Sequence, residues 1–371
     1  MLFIHYSCRQ TLPIYTPNEG ITEPMTSFER EADTFDRGAL LRRGAVLGGS
    51  LTLAGWLPRL AGAASLGTTL DLVAYSTPKP VMGKLISNWE ATPQGHGVSF
   101  TQSYGASTSQ AQAVSEGQPA DLVFLSWPGD IQILVDAGLV DANWNHQSYN
   151  GIVANTVVVF ALRNGNPKKI KGWNDLIKPG VKVVTPDPFS SGSAKWNTLA
   201  AYAAQRHLGK SDAAAIQYVK ELYKNVVAQP TSGTNATAAF LSGEGDVLLT
   251  YESEAINANL KGGHIQYVIP RQTLLIQLPI AVLEKSKNKD KANQFIQYLK
   301  ETPAQTVFGQ YGFRPVNPQA AKQFKNFPVR PGQITLDDKT IGGYAAAQKR
   351  WYDSPNGLMY QIEKAVGGPS T

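Results

Sequence analysis

The segment Thr185-Pro186-Asp187-Pro188-Phe189-Ser190-Ser191-Gly192-Ser193-Ala194-Lys195-Trp196 carries residue types that hold an anion without spending a charge. A β-rich stretch ends in two prolines, a Ser/Gly cluster turns the chain, and an Ala-rich helix begins. The first backbone N–H groups of a helix have no internal partner, and with the helix dipole they attract an oxyanion. Ser191 adds a hydroxyl donor, while Gly192 and the small Ser193 let a ligand approach the backbone. Taken alone, the same residues also describe an ordinary helix cap at Ser190 or Ser191. Two further segments repeat the pattern. Gln102 to Val114 puts Ser107 at the start of a helix, as a donor or as a simple cap, and Thr231-Ser232-Gly233-Thr234 leads into another helix. Such repetition exceeds what capping requires. The stretch from Gly243 then reads as a tight turn and a buried strand ending at Tyr251, where a phenol can hydrogen-bond a ligand at a sheet's edge.

The elements that must position these donors follow from the hydrophobic pattern. Short β-branched runs alternate with Ala-rich or amphipathic stretches: strands over 70–75, 98–102, 121–125, 154–163, 181–185, 247–251 and 279–283, with helices over 81–90, 109–116, 131–137, 193–207, 212–223, 235–242, 289–300 and 302–310. That rhythm predicts an α/β fold of two units, each a mostly parallel sheet flanked by helices. No phosphate-binding loop, dinucleotide fingerprint or internal repeat is present, and no Gly-x-Ser-x-Gly elbow marks a nucleophile. A hydrolase built on Ser191 would need an activating base, and the local sequence offers only Lys195, one turn along the helix.

The 371-residue chain, 42% hydrophobic and 17% charged, has ordinary globular composition and length enough for two domains. Its net charge of +6 is dispersed; the basic run Lys285 to Lys291 reads as a solvated loop, so no nucleic-acid partner is expected. The single cysteine, Cys8, precedes any folded domain, and the five histidines are far apart, so neither a disulfide framework nor a metal site is expected. Arg42-Arg43, the apolar run Gly44 to Leu57 and the small residues up to Ala63 have the form of an export signal, with paired arginines like those of a twin-arginine signal. The run is short for a permanent anchor. Residues 1–63 are therefore read as signal and N-terminal extension, followed by a soluble exported protein. A signal in that place also disfavours a DNA-binding regulator, which needs a helix-turn-helix ahead of its sensor domain.

Together these segments resemble the sulfate/thiosulfate-binding protein family, the soluble receptors of ATP-driven (ABC) sulfate importers. The resemblance extends through Pro119-Ala120-Asp121-Leu122-Val123, Gly165-Asn166-Pro167-Lys168, Trp173 to Val181, Phe313-Arg314-Pro315 and Gly342 to Lys349, nearly the whole chain after the signal. It implies a two-lobed, type II periplasmic-binding-protein fold, with residues 64–151 and 254–371 in one lobe and 152–253 in the other, closing over the ligand like a hinge. It implies a monomer that binds sulfate or thiosulfate without cofactor or metal and delivers it to the membrane permease of an ABC importer. By position, Ser191 is the hydroxyl donor, and Ser76, Ser107, Gly192, Ser193 and Ser232 supply backbone N–H groups. Tyr251 stands where the family has an indole, Ser193 where it has a second glycine, and Ser76 where some members have aspartate. The Tyr251 substitution bears on the choice among sulfate, thiosulfate, molybdate and tungstate. A site built only of donors favours a fully deprotonated oxyanion, whereas hydrogen phosphate needs an acceptor; Asp246, Glu252 and Glu254 are the nearby carboxylates in sequence.

Overall fold

A computed structural model describes residues 67–327 and 333–368. Cys8 and the export signal lie outside the described residues. The first half of the chain runs β1 (Thr68–Tyr75), α1 (Lys79–Glu90), β2 (Val98–Gly105), α2 (Ser107–Ser115), β3 (Leu122–Phe124), α3 (Pro128–Asp136), β4 (Ile152–Leu162), β5 (Val183–Val184), α4 (Gly192–His207) and α5 (Asp212–Lys224). It continues with β6 (Val226–Ala228), α6 (Gly233–Leu241), β7 (Val247–Tyr251), α7 (Glu252–Leu260), β8 (Gln266–Val268), β9 (Leu275–Val282), α8 (Lys289–Lys300), α9 (Thr302–Gln310), α10 (Pro318–Ala321), α11 (Gly343–Ala347) and α12 (Leu358–Val366).

The strands form one path, β2-β1-β3-β9-β4-β7-β5-β6, with β8 beside β4. β1 is parallel to β2 and β3 at one end of this path, and β5 is parallel to β6 and β7 at the other. β4 and β9 join the two half-sheets. Residues 152–157 of β4 pair antiparallel with β9, and residues 158–162 lie between β7 and β8. β9 in turn leaves β4 and pairs with β3 through Ile280, Ala281 and Val282.

Helices cover both faces, which is why the strands read as apolar runs. In β1, Leu70, Leu72 and Ala74 face the main core, while Val73 packs on the other side with Ala111, Val114 and Ile131. In β4, Val158, Phe160 and Leu162 join the main core, and Val157 and Val159 pack against Ala255 and Tyr267.

The sequence pattern starts the last long strand at Pro279, whereas β9 begins at Leu275. Gln277 interrupts the apolar run, but it is half-buried and alternates with the buried Ile276 and Leu278, so it obeys the period of two. Pro279, which has no N–H to give to a ladder, stands at the irregularity opposite Ile152 where β9 changes partner; its carbonyl accepts from the Leu125 N–H at 3.1 Å.

The C-terminal segment contacts both half-sheets' helices. The Tyr344 hydroxyl donates to Gln132 of α3 at 3.1 Å, and the Trp127 indole donates to Gln348 at 3.2 Å. The Tyr352 hydroxyl donates to the Lys195 carbonyl of α4 at 2.8 Å, and Arg350 pairs with Asp212 of α5 at 2.6 Å. Among the described residues, no helix is long and apolar enough to cross a membrane.

Candidate functional site

The carboxyl ends of β1 and β2 from one half-sheet, and of β5, β6 and β7 from the other, each lead into a helix. In open α/β sheets such ends are where ligands bind. The glycines at the helix starts show how closely these ends meet. A Cβ added to Gly192, first residue of α4, would lie 2.2 Å from Ser126 Oγ and 3.3 Å from Ser107 Cβ. A Cβ on Gly233, first residue of α6, would lie 3.3 Å from Ser193 Oγ and 3.8 Å from Thr77 Oγ1. The first turns of α2, α4 and α6 and the β1–α1 loop therefore converge on one place. Their leading N–H groups are those a helix leaves unpaired.

Ser191 is the N-cap of α4, yet its side chain makes no capping hydrogen bond; its own N–H donates to the Asp187 carbonyl at 3.0 Å. Its hydroxyl is thus left for something other than the helix. Ser107 is not a cap either: Ala106 takes that position, and Ser107 opens α2. The Ser107 hydroxyl donates to Asp130 Oδ2 at 2.6 Å and accepts from the Ser126 N–H at 2.9 Å, so only its backbone N–H is left for a ligand. Ser232 does cap α6, accepting from the Asn235 N–H at 3.2 Å, which likewise leaves its backbone as the donor. Ser76 is half-buried, and its carbonyl accepts from the Lys79 N–H at 3.2 Å. Ser76 lines a cavity of about 510 Å³ with Thr77, Thr234 and Glu254 at the border of the junction.

Tyr251 ends β7 with its ring fully buried beside the Ser126 and Ser193 side chains. Neither neighbour reaches it with hydrogen-bond geometry. Its hydroxyl, Ser193 Oγ and the hydroxyl of Tyr75, which ends β1, are all buried without a partner among the described residues. Leaving a buried hydroxyl unpaired costs about 1–3 kcal/mol, so a group of them invites a ligand to fill the gap. Burial pushes both phenols well above their usual pKa, with the charges of Tyr251 and Glu254 adding to the rise at Tyr75, so both stay protonated donors at any physiological pH.

The charged groups around the junction are committed elsewhere. Asp130, fully buried, accepts from Ser107, from Thr108 Oγ1 at 2.9 Å and from Lys195 Nζ at 3.1 Å. Lys195 is 3% exposed and bridges from α4 to α2 and α3, also donating to Thr108 Oγ1 at 2.9 Å. Its Nζ is engaged by Asp130 and Thr108 and does not stand free beside Ser191. The Glu252 carboxylate accepts from Arg314 Nε at 2.7 Å, and Asp246 accepts from the Lys182 N–H at 2.8 Å. Glu254 alone of those three carboxylates lines the cavity, where it accepts from Thr234 Oγ1 at 2.8 Å. Among the described residues no group of three or more His, Cys, Asp or Glu is placed to hold a metal ion.

Sequence reasoning passed over Tyr75, Thr77, Ser126 and Asp130. Tyr75 carried the same signal as Tyr251, a polar aromatic at the carboxyl end of a buried strand. Asp130 carried none, because its partner Lys195 is 65 residues away.

The half-sheets and this junction define a receptor that folds around a small solute, and residues 70–314 match the family model described as bacterial extracellular solute-binding protein. A sulfate-binding protein from Synechococcus elongatus is 36% identical over 309 residues, covering 81% of this chain and 87% of that protein. A thiosulfate-binding protein from Pseudomonas aeruginosa is 33% identical, covering 70% of this chain and 81% of the relative. The solved structure of the sulfate-binding protein SubI from Mycobacterium tuberculosis superposes with a TM-score of 0.74 at 42% identity, covering 77% of this chain and all of SubI. The chain belongs to the sulfate- and thiosulfate-binding protein family.

Proposed function

We propose that this protein captures the sulfate dianion at the junction of α2, α4 and α6 and hands it to the membrane permease of an ABC importer, with no chemistry of its own. The observation that carries this reading is the convergence of the first turns of α2, α4 and α6 beside Ser126, Thr77 and Ser193, whose hydroxyl, like that of the neighbouring Tyr251, is buried with no partner among the described residues. The ligand's oxygens accept from the backbone N–H groups of Ser76, Ser107, Gly192, Ser193 and Ser232, from the Ser191 hydroxyl and from the Tyr251 phenol. Lys195 stays with Asp130, so the dianion is held by dipoles rather than by a contacting cation. Two lobes close over it, β4 and β9 carrying the crossovers between them.

The backbone N–H groups can only donate, which favours a fully deprotonated oxyanion; Glu254, lining the cavity beside Ser76 and Thr234, is the nearby acceptor, and its carboxylate already accepts from Thr234. A protonated oxyanion must place its own O–H against another donor, which costs about 1–3 kcal/mol, or roughly tenfold to a hundredfold in affinity. Thiosulfate replaces one of the four sulfate oxygens by a larger sulfur and keeps three that accept, so it differs from sulfate in size and in one acceptor. The protein works outside the cytoplasm, exported through the signal in residues 1–63, as a monomer.

The test is calorimetric titration of purified protein, dialysed free of anions, with sulfate, thiosulfate, molybdate and phosphate in turn. Tight sulfate binding with phosphate silent is expected; phosphate bound as tightly as sulfate would sink the donor-only cradle. Mass spectrometry of the exported protein, expected to lack residues 1–63, checks the signal.

A further inference from the structure

The Tyr75 hydroxyl is not among the donors that position in the chain points to, yet it meets the same physical description as Tyr251. It sits on the last residue of β1, immediately before Ser76 and Thr77, and β1 pairs at that point with Gly105, just ahead of α2. The residue is 3% exposed, and its hydroxyl has no hydrogen-bond partner among the described residues. Packing accounts for the ring alone: it meets Phe124 edge-on, with centroids 5.4 Å apart. Phenylalanine would satisfy that contact without burying a polar atom, so the hydroxyl costs stability with nothing among the described residues to offset it. Tyr75 lies within electrostatic range of Tyr251, whose charge would add to the burial that raises the Tyr75 pKa. Tyr251 in turn adjoins Ser193, and Ser193 adjoins Gly233 and, across it, Thr77.

We infer that Tyr75 is a second phenolic donor to the bound oxyanion, reaching it from the β1 half-sheet while Tyr251 reaches it from the β7 half-sheet. The inference rests on the proposed oxyanion site. Because the two phenols come from opposite half-sheets, each oxygen they hold ties the halves together, and losing either weakens the closed complex. A phenol is shorter of charge than a lysine but cannot be ionised away here, since burial keeps both protonated.

The test uses the full exported protein and its Tyr75→Phe, Tyr251→Phe and double variants, titrated with sulfate by calorimetry and melted without ligand. Tyr75→Phe is expected to weaken sulfate binding by about 10- to 100-fold, the range for a hydrogen bond to a charged group, while the ligand-free melting temperature holds or rises. The double variant is expected to lose at least as much as the worse single. Sulfate affinity of Tyr75→Phe within about twofold of the parent overturns the inference alone, as does a fall in ligand-free melting temperature that accounts for the loss in binding. A parent protein that binds no oxyanion overturns the site reading and this inference with it.

Discussion

Gly192→Ala isolates the close approach of α4 to the opposite half-sheet. Residue 192 opens α4 and its φ is not positive, so alanine is compatible with the backbone there and favours the helix by about 0.5–1 kcal/mol. The added methyl would nevertheless lie 2.2 Å from Ser126 Oγ and 3.1 Å from Trp127 Cβ. Either the Ser126 hydroxyl swings toward Tyr251 and the ligand, or the first turn of α4 withdraws by about 1 Å, taking its N–H donors with it. Overpacking of this kind costs about 1–3 kcal/mol. The helix gain is common to the free and bound protein and cancels in binding, so if the overpacking falls on the ligand-bound state, about 1–3 kcal/mol corresponds to roughly 5- to 150-fold weaker sulfate affinity. Gly233→Ala is the control: its methyl would lie 3.3 Å from Ser193 Oγ, an unpartnered hydroxyl that can turn aside, so affinity should stay within about threefold. Sulfate titration by calorimetry reads both, with ligand-free melts to confirm folding. If Gly192→Ala binds like the parent, or if the two variants lose equally, the convergence of α4 on Ser126 does not govern the site.

Ser191→Ala should weaken sulfate binding by about 1.5–3 kcal/mol and leave the ligand-free melt unchanged, because the side chain makes no capping bond; a matching loss of stability would instead make it a cap. Lys195→Met should destabilise the protein by about 3–5 kcal/mol in urea unfolding, since it strands the fully buried Asp130 carboxylate, and a loss below about 1 kcal/mol would refute the pairing. Glu363 in α12 has its pKa raised by burial, against a hydrogen bond from Gln229 that opposes the rise, and one carboxylate oxygen lacks a partner among the described residues. A raised carboxyl pKa means the folded state holds the proton more tightly than the unfolded chain. The group therefore penalises folding increasingly as pH climbs past the usual carboxylate range. Glu363→Gln should raise the melting temperature near about pH 7 and change it little near about pH 4; equal shifts at both would contradict this sign.

Much of the fold was legible because its signals are local. The buried runs of β1, β4 and β7 and the amphipathic helices between them fell within a few residues of their observed bounds, since period and turn chemistry act over single elements. β9 was partly obscured by a polar half-buried Gln277 and by Pro279, which stands where one pairing ends and another begins, and the short β6 and β8 and the helix α7 were not anticipated at all. The loops where α2, α4 and α6 begin were legible for the same reason: a strand, small residues and a helix start form one contiguous pattern.

Residues 185–196, 102–114 and 231–237 by themselves determined that this chain carries several helix N-termini dressed for an anion. The serines then part ways, and tertiary contacts decide the matter for one of them. Ser232 bonds its own helix, Ser107 is claimed by Asp130, and Ser191 makes no capping bond. The Ser107 outcome depends on Asp130 of α3 and Ser126 of the loop after β3, which no local pattern encodes, whereas the Ser232 cap is a local contact three residues along. Packing likewise decided that Tyr75 joins Tyr251 at the junction and that Lys195 is spent on Asp130. Hydrogen bonding and burial are properties of the atoms that folding brings within a few ångströms, whatever their separation along the chain.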